Sequence, residues 1–117
     1  MTLRLHPDLL AAAYDYLRVS TPFRGWCPRL PHSDDIGFGV IEDSTVFADF
    51  CLMNGEPLIR VSGMNGHTNT LMATISHEMI HLYQHLSGLD KGGDHNEDFW
   101  DRAKRVCAAH GFDIKTF

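Results

Sequence analysis

Residues 76–85 read SHEMIHLYQH. Two histidines, His77 and His81, stand four apart, and Glu78 follows the first. On a helix, residues four apart lie about 40° round the axis and about 6 Å along it. Both rings therefore leave one face and can meet a single ion at about 2.0–2.1 Å each. Glu78 falls about 60° round from His81, close enough to reach a water on that ion and pointed away from direct ligation. This is why the HExxH spacing recurs in zinc hydrolases: one helical turn carries two ligands and a proton acceptor. The plain alternative is a wet helix face, and eight histidines in 117 residues make a chance motif easy to find. The rest of the helix argues otherwise. Leu71, Ile75, Met79, Leu82 and Leu86 form an apolar stripe, and the histidine pair points to nearly the opposite side. The pair is expected to face a cleft.

A zinc site that does chemistry keeps three protein ligands and one open position. His85 lies eight residues beyond His77, about 12 Å up the axis, so a straight helix cannot bring all three rings to one ion. It is expected at the surface or on the cleft rim. His95 is the better third ligand. It follows the glycine-rich stretch GLDKGGD (residues 88–94), which can swing the chain back, and it opens the segment DHNEDFWDRAKRV. A helix N-terminus there disfavours the imidazolium form and favours a neutral, metal-ready ring, while Asp94 and Asp98 pull the other way. Proteases of another HExxH class use an acidic third ligand, and in this chain Glu97 or Asp98 would then replace His95.

The chain is expected to form one domain over residues 1–117, long enough to bury a core without staples. Hydrophobic residues make up 44% and charged residues 21%, which is the ordinary globular range. The formal net charge is −5 and no Lys/Arg run is present, so strong autonomous nucleic-acid binding is not expected. Cys27, Cys51 and Cys107 are odd in number, far apart and without a CxxC pair, which argues against a disulfide framework and fits a reducing compartment. The first 19 residues lack the apolar core of a signal peptide, and no apolar run approaches the ~18 residues of a membrane span. A cytoplasmic protein, nucleoid- or nucleus-associated if a partner takes it there, is the expectation.

Around the histidine helix the chain reads as α+β. His6-Pro7-Asp8 opens a first helix whose apolar stripe is Leu9, Leu10, Ala13, Tyr14 and Leu17. STPFRGWCPRLPHSDD (residues 20–35) reads as an irregular connection. Three runs rich in β-branched and aromatic residues follow, at 36–41, 45–53 and 57–62, separated by Glu42-Asp43-Ser44 and Asn54-Gly55-Glu56. They predict a three-stranded antiparallel meander. Thr68 or Asn69 can cap the long helix, which Gly88 ends. Asn96 or Asp94 can cap a last helix that stops at Gly111, and FDIKTF (residues 112–117) alternates as a terminal strand would.

The residues HEMIHLYQHLSGLDKGGDHNEDFW (77–100) resemble the core of the SprT-like metalloproteases, which carry HExxH, a loop of this length, and then a histidine shortly followed by phenylalanine. PLIRVS resembles the family's last strand before the active-site helix, and AAHGFDIKTF its glycine-then-strand ending. The resemblance spans residues 36–117 and is strongest over 75–100. It implies a minimal zincin-like domain in which His77, His81 and His95 hold one Zn²⁺ per chain, Glu78 is the catalytic base, and Phe99 packs. Asn96 stands where the family usually has glycine, and the family's C-terminal zinc ribbon has no counterpart here.

The implied activity is that of a zinc endopeptidase on protein or peptide substrates, DNA-associated proteins being reached through a partner. A zinc-stabilised binding module that no longer cleaves is the alternative, and Glu78 weighs against it because a purely structural site has no use for a base. His67, Tyr83, His85 and Arg60 carry donors that could stabilise an oxyanion or contact substrate, and the sequence does not choose among them. Gly88, Gly92 and Gly93 mark residues 88–94 as a candidate gate.

Overall fold

A computed structural model of the chain describes residues 5–42, 47–63 and 68–117. The turn at 43–44, the first residues of the run at 45–53, and His67 lie outside the described residues. Helix α1 spans Pro7–Arg18 and is capped by the His6 ring, which accepts from the Asp8 backbone N–H. Its stripe buries Leu10, Ala13, Tyr14 and Leu17. Strands β1 (Gly37–Ile41), β2 (Ala48–Met53) and β3 (Glu56–Ser62) form one sheet. Helix α2 (Thr68–Ser87) carries the HExxH motif, and α3 (Glu97–His110) follows the glycine-rich loop. The result is a compact α+β fold with a small mixed sheet and no helix long and apolar enough to cross a membrane among the described residues.

The sheet is not a meander. Its order is β1-β3-β2, with β2 antiparallel and β1 parallel to β3. The tight hairpin forms as expected: Met53 pairs with Glu56 across Asn54 (φ 52°) and Gly55 (φ 80°), both in the left-handed region that a type I′ turn requires. The overturned expectation is the place of β1. Strand β3 buries Ile59, Val61 and Ser62 fully, whereas β1 and β2 are mostly half-buried. A strand so apolar is covered best at the centre, so β3 takes that place and leaves β2 at an edge.

The segment at 20–35 is irregular, as expected, but it is not mere connection. Two 3₁₀ turns (Phe23–Trp26 and Ser33–Asp35) set Phe23, Trp26 and Leu30 into the core beside α1. Tyr14 is fully buried there, its hydroxyl donating to the Pro31 carbonyl and its ring edge-on to Phe38. The core then runs through Ile75, Met79 and Leu82 of α2 to Phe99, Ala103 and Val106 of α3. Leu86, expected in the stripe, is 40% exposed because it lies on the last turn of α2, past the core.

The terminal strand does not form. Asp113 turns the chain instead, its carboxylate accepting from the Lys115 N–H at 2.9 Å and its carbonyl from the Thr116 N–H at 3.1 Å. Phe112 and Phe117 stack at 6.3 Å rather than alternate, which brings residue 117 back against α2.

Candidate metal centre

Helical spacing puts His77 and His81 on one face of α2, and the loop at 88–96 returns the chain so that His95 arrives opposite them. The His77 Nε2 lies 3.2 Å from the His81 Nε2 and 3.1 Å from the His95 Nε2. Three imidazoles bound to one tetrahedral ion at about 2.0–2.1 Å would hold their nitrogens ~3.3–3.4 Å apart. Three neutral rings that aim lone pairs at one point repel each other unless a cation sits there, so the donor set and spacing fit a metal ion. Among the described residues no other group of histidine, cysteine or acidic side chains converges in this way. Asp98 is occupied elsewhere: its carboxylate accepts from Gln84 and from Arg102, at 2.9 Å each. Glu97 is exposed and does not join the cluster.

The tautomer of one ring is fixed. His77 Nδ1–H donates to the Phe117 backbone oxygen at 2.7 Å, which leaves Nε2 with its lone pair toward the other two rings. Burial holds His77 down at about 4, against the Phe117 hydrogen bond and with His95 adding to the shift. Burial, then the neighbouring His77 and His95, hold His81 at about 4 as well, with Asp94 opposing. Both rings are thus neutral at neutral pH, the form that a metal needs. Phe99 forms the floor of the cluster. Its ring is fully buried and lies 4.9, 4.7 and 4.7 Å from the rings of His77, His81 and His95.

Glu78 is 6% exposed, and its carboxyl makes no hydrogen bond among the described residues. Burial, with the Asp49 charge adding to it, pushes its carboxyl up to about 8. A cation held beside it would act in the opposite sense. Two clefts open from this point. One, about 470 Å³, runs past the N-terminal half of α2 to residues 112–117, and the other, about 260 Å³, runs past His81, Asp90 and His95. His77, Glu78 and Ala48 line both, so the edge strand β2 borders the whole groove.

Of the other residues proposed from sequence, Arg60, Tyr83 and His85 are described. Arg60 forks onto Asp49, its Nε donating at 2.8 Å. The Tyr83 ring lies 5.0 Å from Trp26, tilted against it, beneath the Arg102 guanidinium. His85 stands near the rim, 5.7 Å from the Phe50 ring and 3.4 Å from the Asp90 carboxylate. None of the three lines either cleft.

Sequence reading missed a clamp. Gln84 is fully buried, and its Nε2 donates to Asn96 Oδ1 at 2.9 Å as well as to Asp98. Asn96 caps α3 by accepting from the Phe99 N–H, and its Nδ2 donates to the carbonyls of Leu89 (2.9 Å) and Lys91 (3.0 Å). The loop expected to act as a gate is therefore tied to Asn96 at Leu89 and Lys91, between Gly88 and Gly92, with His95 next to the tie. A lone amide on the buried face of α2 was the available signal. Asn96→Ala should cost about 1 kcal/mol for the lost cap and about as much again for the loop bonds. Asn96→Asp keeps the cap and loses only the Nδ2 donors, so its urea midpoint should fall between those of wild type and Asn96→Ala. Identical midpoints for all three would remove the clamp.

No protein-family model matches the chain, and no curated protein matches it.

Proposed function

We propose that this chain is a zinc-dependent endopeptidase of SprT-like kind that hydrolyses peptide bonds in protein substrates, DNA-associated proteins included where a partner delivers them. One observation carries the reading. Glu78 is a buried carboxyl with no hydrogen-bond partner among the described residues, placed where two open clefts meet beside three converging imidazoles. Such a group costs stability by lying out of water, and a structural metal site does not need it.

His77, His81 and His95 would hold the ion, in a minimal zincin-like arrangement with the third ligand just ahead of α3. When bound there, zinc would supply Lewis acidity toward a carbonyl oxygen and acidify a neighbouring water. The residues of the chain do the rest. Phe117, through its backbone oxygen, holds the His77 ring in the ligating tautomer. Phe99 holds all three rings from below and keeps water from that side. Glu78 takes a proton from the attacking water and passes it to the leaving amine. Substrate would lie extended beside β2, whose place at the sheet edge leaves backbone groups for it to pair with. Three cysteines with no disulfide among them agree with a cytoplasmic setting.

The test is metal content and cleavage measured together, wild type beside His95→Ala. Wild type should carry about one zinc per chain and cleave an unfolded protein, and a chelator should abolish the cleavage. His95→Ala should lose both metal and activity. Zinc retained by His95→Ala would move the third ligand to an acidic residue. Zinc at full occupancy in wild type, with no cleavage of any unfolded protein, would leave a binding module.

A further inference from the structure

The larger cleft has a composition of its own. Thr70, Ala73, Thr74 and His77 follow one another at i, i+3, i+4 and i+7 and so share one face of α2. All but the last are small, which leaves the space beside the His77 ring empty. Opposite that face stand Phe112 and Phe117, both half-buried, and Phe47 at the mouth is 62% exposed. Among the described residues no lysine or arginine lines the cleft. Its carboxylates are Glu78, at the inner end, and Asp113, on the rim and already engaged by the Lys115 N–H. At about 470 Å³ the space lies in the range of preformed ligand pockets, which are mostly apolar with a few placed polar groups.

We infer that this cleft is a specificity pocket for one bulky apolar side chain, aromatic or long aliphatic, of a peptide lying beside β2. The inference deepens the peptidase reading and rests on it for the identity of the ligand as a peptide. The aromatic walls give such a side chain ring contacts on two sides, and burying it between them is favourable in proportion to the apolar area covered. An acidic side chain would leave water for a site with no lysine or arginine among its described lining residues, and a basic one would meet at depth only Glu78, the carboxyl that the reaction itself uses. The cleft is also continuous with the reacting groups, since His77 and Glu78 form its end wall. Filling it would therefore place the adjoining peptide bond at Glu78, whereas a glycine there would leave the bond unanchored.

Ala73 sets the depth. It lies one turn before His77 on the cleft face and is half-buried, so a larger side chain fits the helix and fills the space. Leucine is a strong helix former, so Ala73→Leu should leave folding intact.

Binding tests the pocket without relying on activity. N-acetyl-phenylalanine amide, N-acetyl-leucine amide, N-acetyl-lysine amide and N-acetyl-glycine amide are titrated in turn into the ¹⁵N-labelled chain. Resonances of residues 73, 74, 112 and 117 should move with the phenylalanine and leucine compounds, at affinities roughly tenfold or more above that of the glycine compound. Ala73→Leu should abolish that difference while keeping a wild-type melting temperature. Equal shifts with all four compounds, shifts largest with lysine, or a preference unchanged in Ala73→Leu would overturn the pocket. A chain that binds with this preference and cleaves nothing would sink the peptidase reading and leave the pocket. One that cleaves peptides regardless of the residue offered would do the reverse.

Discussion

Glu78→Gln should abolish proteolysis and change little else. A positioned general base is worth ~10²–10⁴ in rate, so cleavage of an unfolded protein should fall at least a hundredfold. Gln differs from a protonated carboxyl by one substituent of similar size. Since burial pushes the Glu78 carboxyl up to about 8, the metal-free chain already holds it protonated at neutral pH. The substitution therefore removes no buried charge in that state, and the melting temperature should stay near that of wild type. Zinc content should also persist, because the converging nitrogens belong to His77, His81 and His95. The three measurements separate the readings. Wild-type cleavage by Glu78→Gln would exclude Glu78 as the base. Loss of zinc together with cleavage would make Glu78 part of metal retention, and the division between ligands and base would fail.

The histidine pair was legible in the sequence because helix geometry is local: two side chains four apart share a face whatever surrounds them. The N-cap at Asn96, the stop at Gly111 and the hairpin at Asn54-Gly55 were legible for the same reason, each being chemistry within a few residues. The place of β1 was not. Whether a strand pairs with its neighbour in sequence or with the next one depends on which strand the core covers most completely, and that is settled by α1 and α2 together. FDIKTF misled because its alternation suits a strand, yet Asp113 offers the backbone a turn and Phe112 and Phe117 gain more by stacking. The shape of the groove was equally out of reach. Its two long sides come from segments some forty residues apart, joined where His77 meets the Phe117 backbone oxygen. Tyr83 and Arg60 carried suitable donors but line neither cleft: the Tyr83 ring lies under Arg102, and the Arg60 guanidinium is taken up by Asp49.

Phe99→Ala should be the most destabilising change at the site, and its cost should reach the metal. The ring is wholly buried and touches all three histidines as well as Trp100 and Phe117. Removing it leaves a cavity under the ligands, and such truncations cost ~3–5 kcal/mol. That is a large part of the ~5–15 kcal/mol that holds an ordinary domain. At ~4–8 °C per kcal/mol, the melting temperature should fall by more than about 10 °C. Excess zinc separates packing from metal holding. A ligand at a thousand times its Kd adds ~4 kcal/mol to the folded state, so wild type should melt well above its chelated form. If Phe99 holds the three rings in place, Phe99→Ala should gain less from the same zinc. Phe99→Leu, which refills most of the cavity, should recover most of both losses. A variant that melts low yet gains from zinc as much as wild type does would reduce Phe99 to packing, and the rings would have to be oriented by α2 and the clamped loop alone.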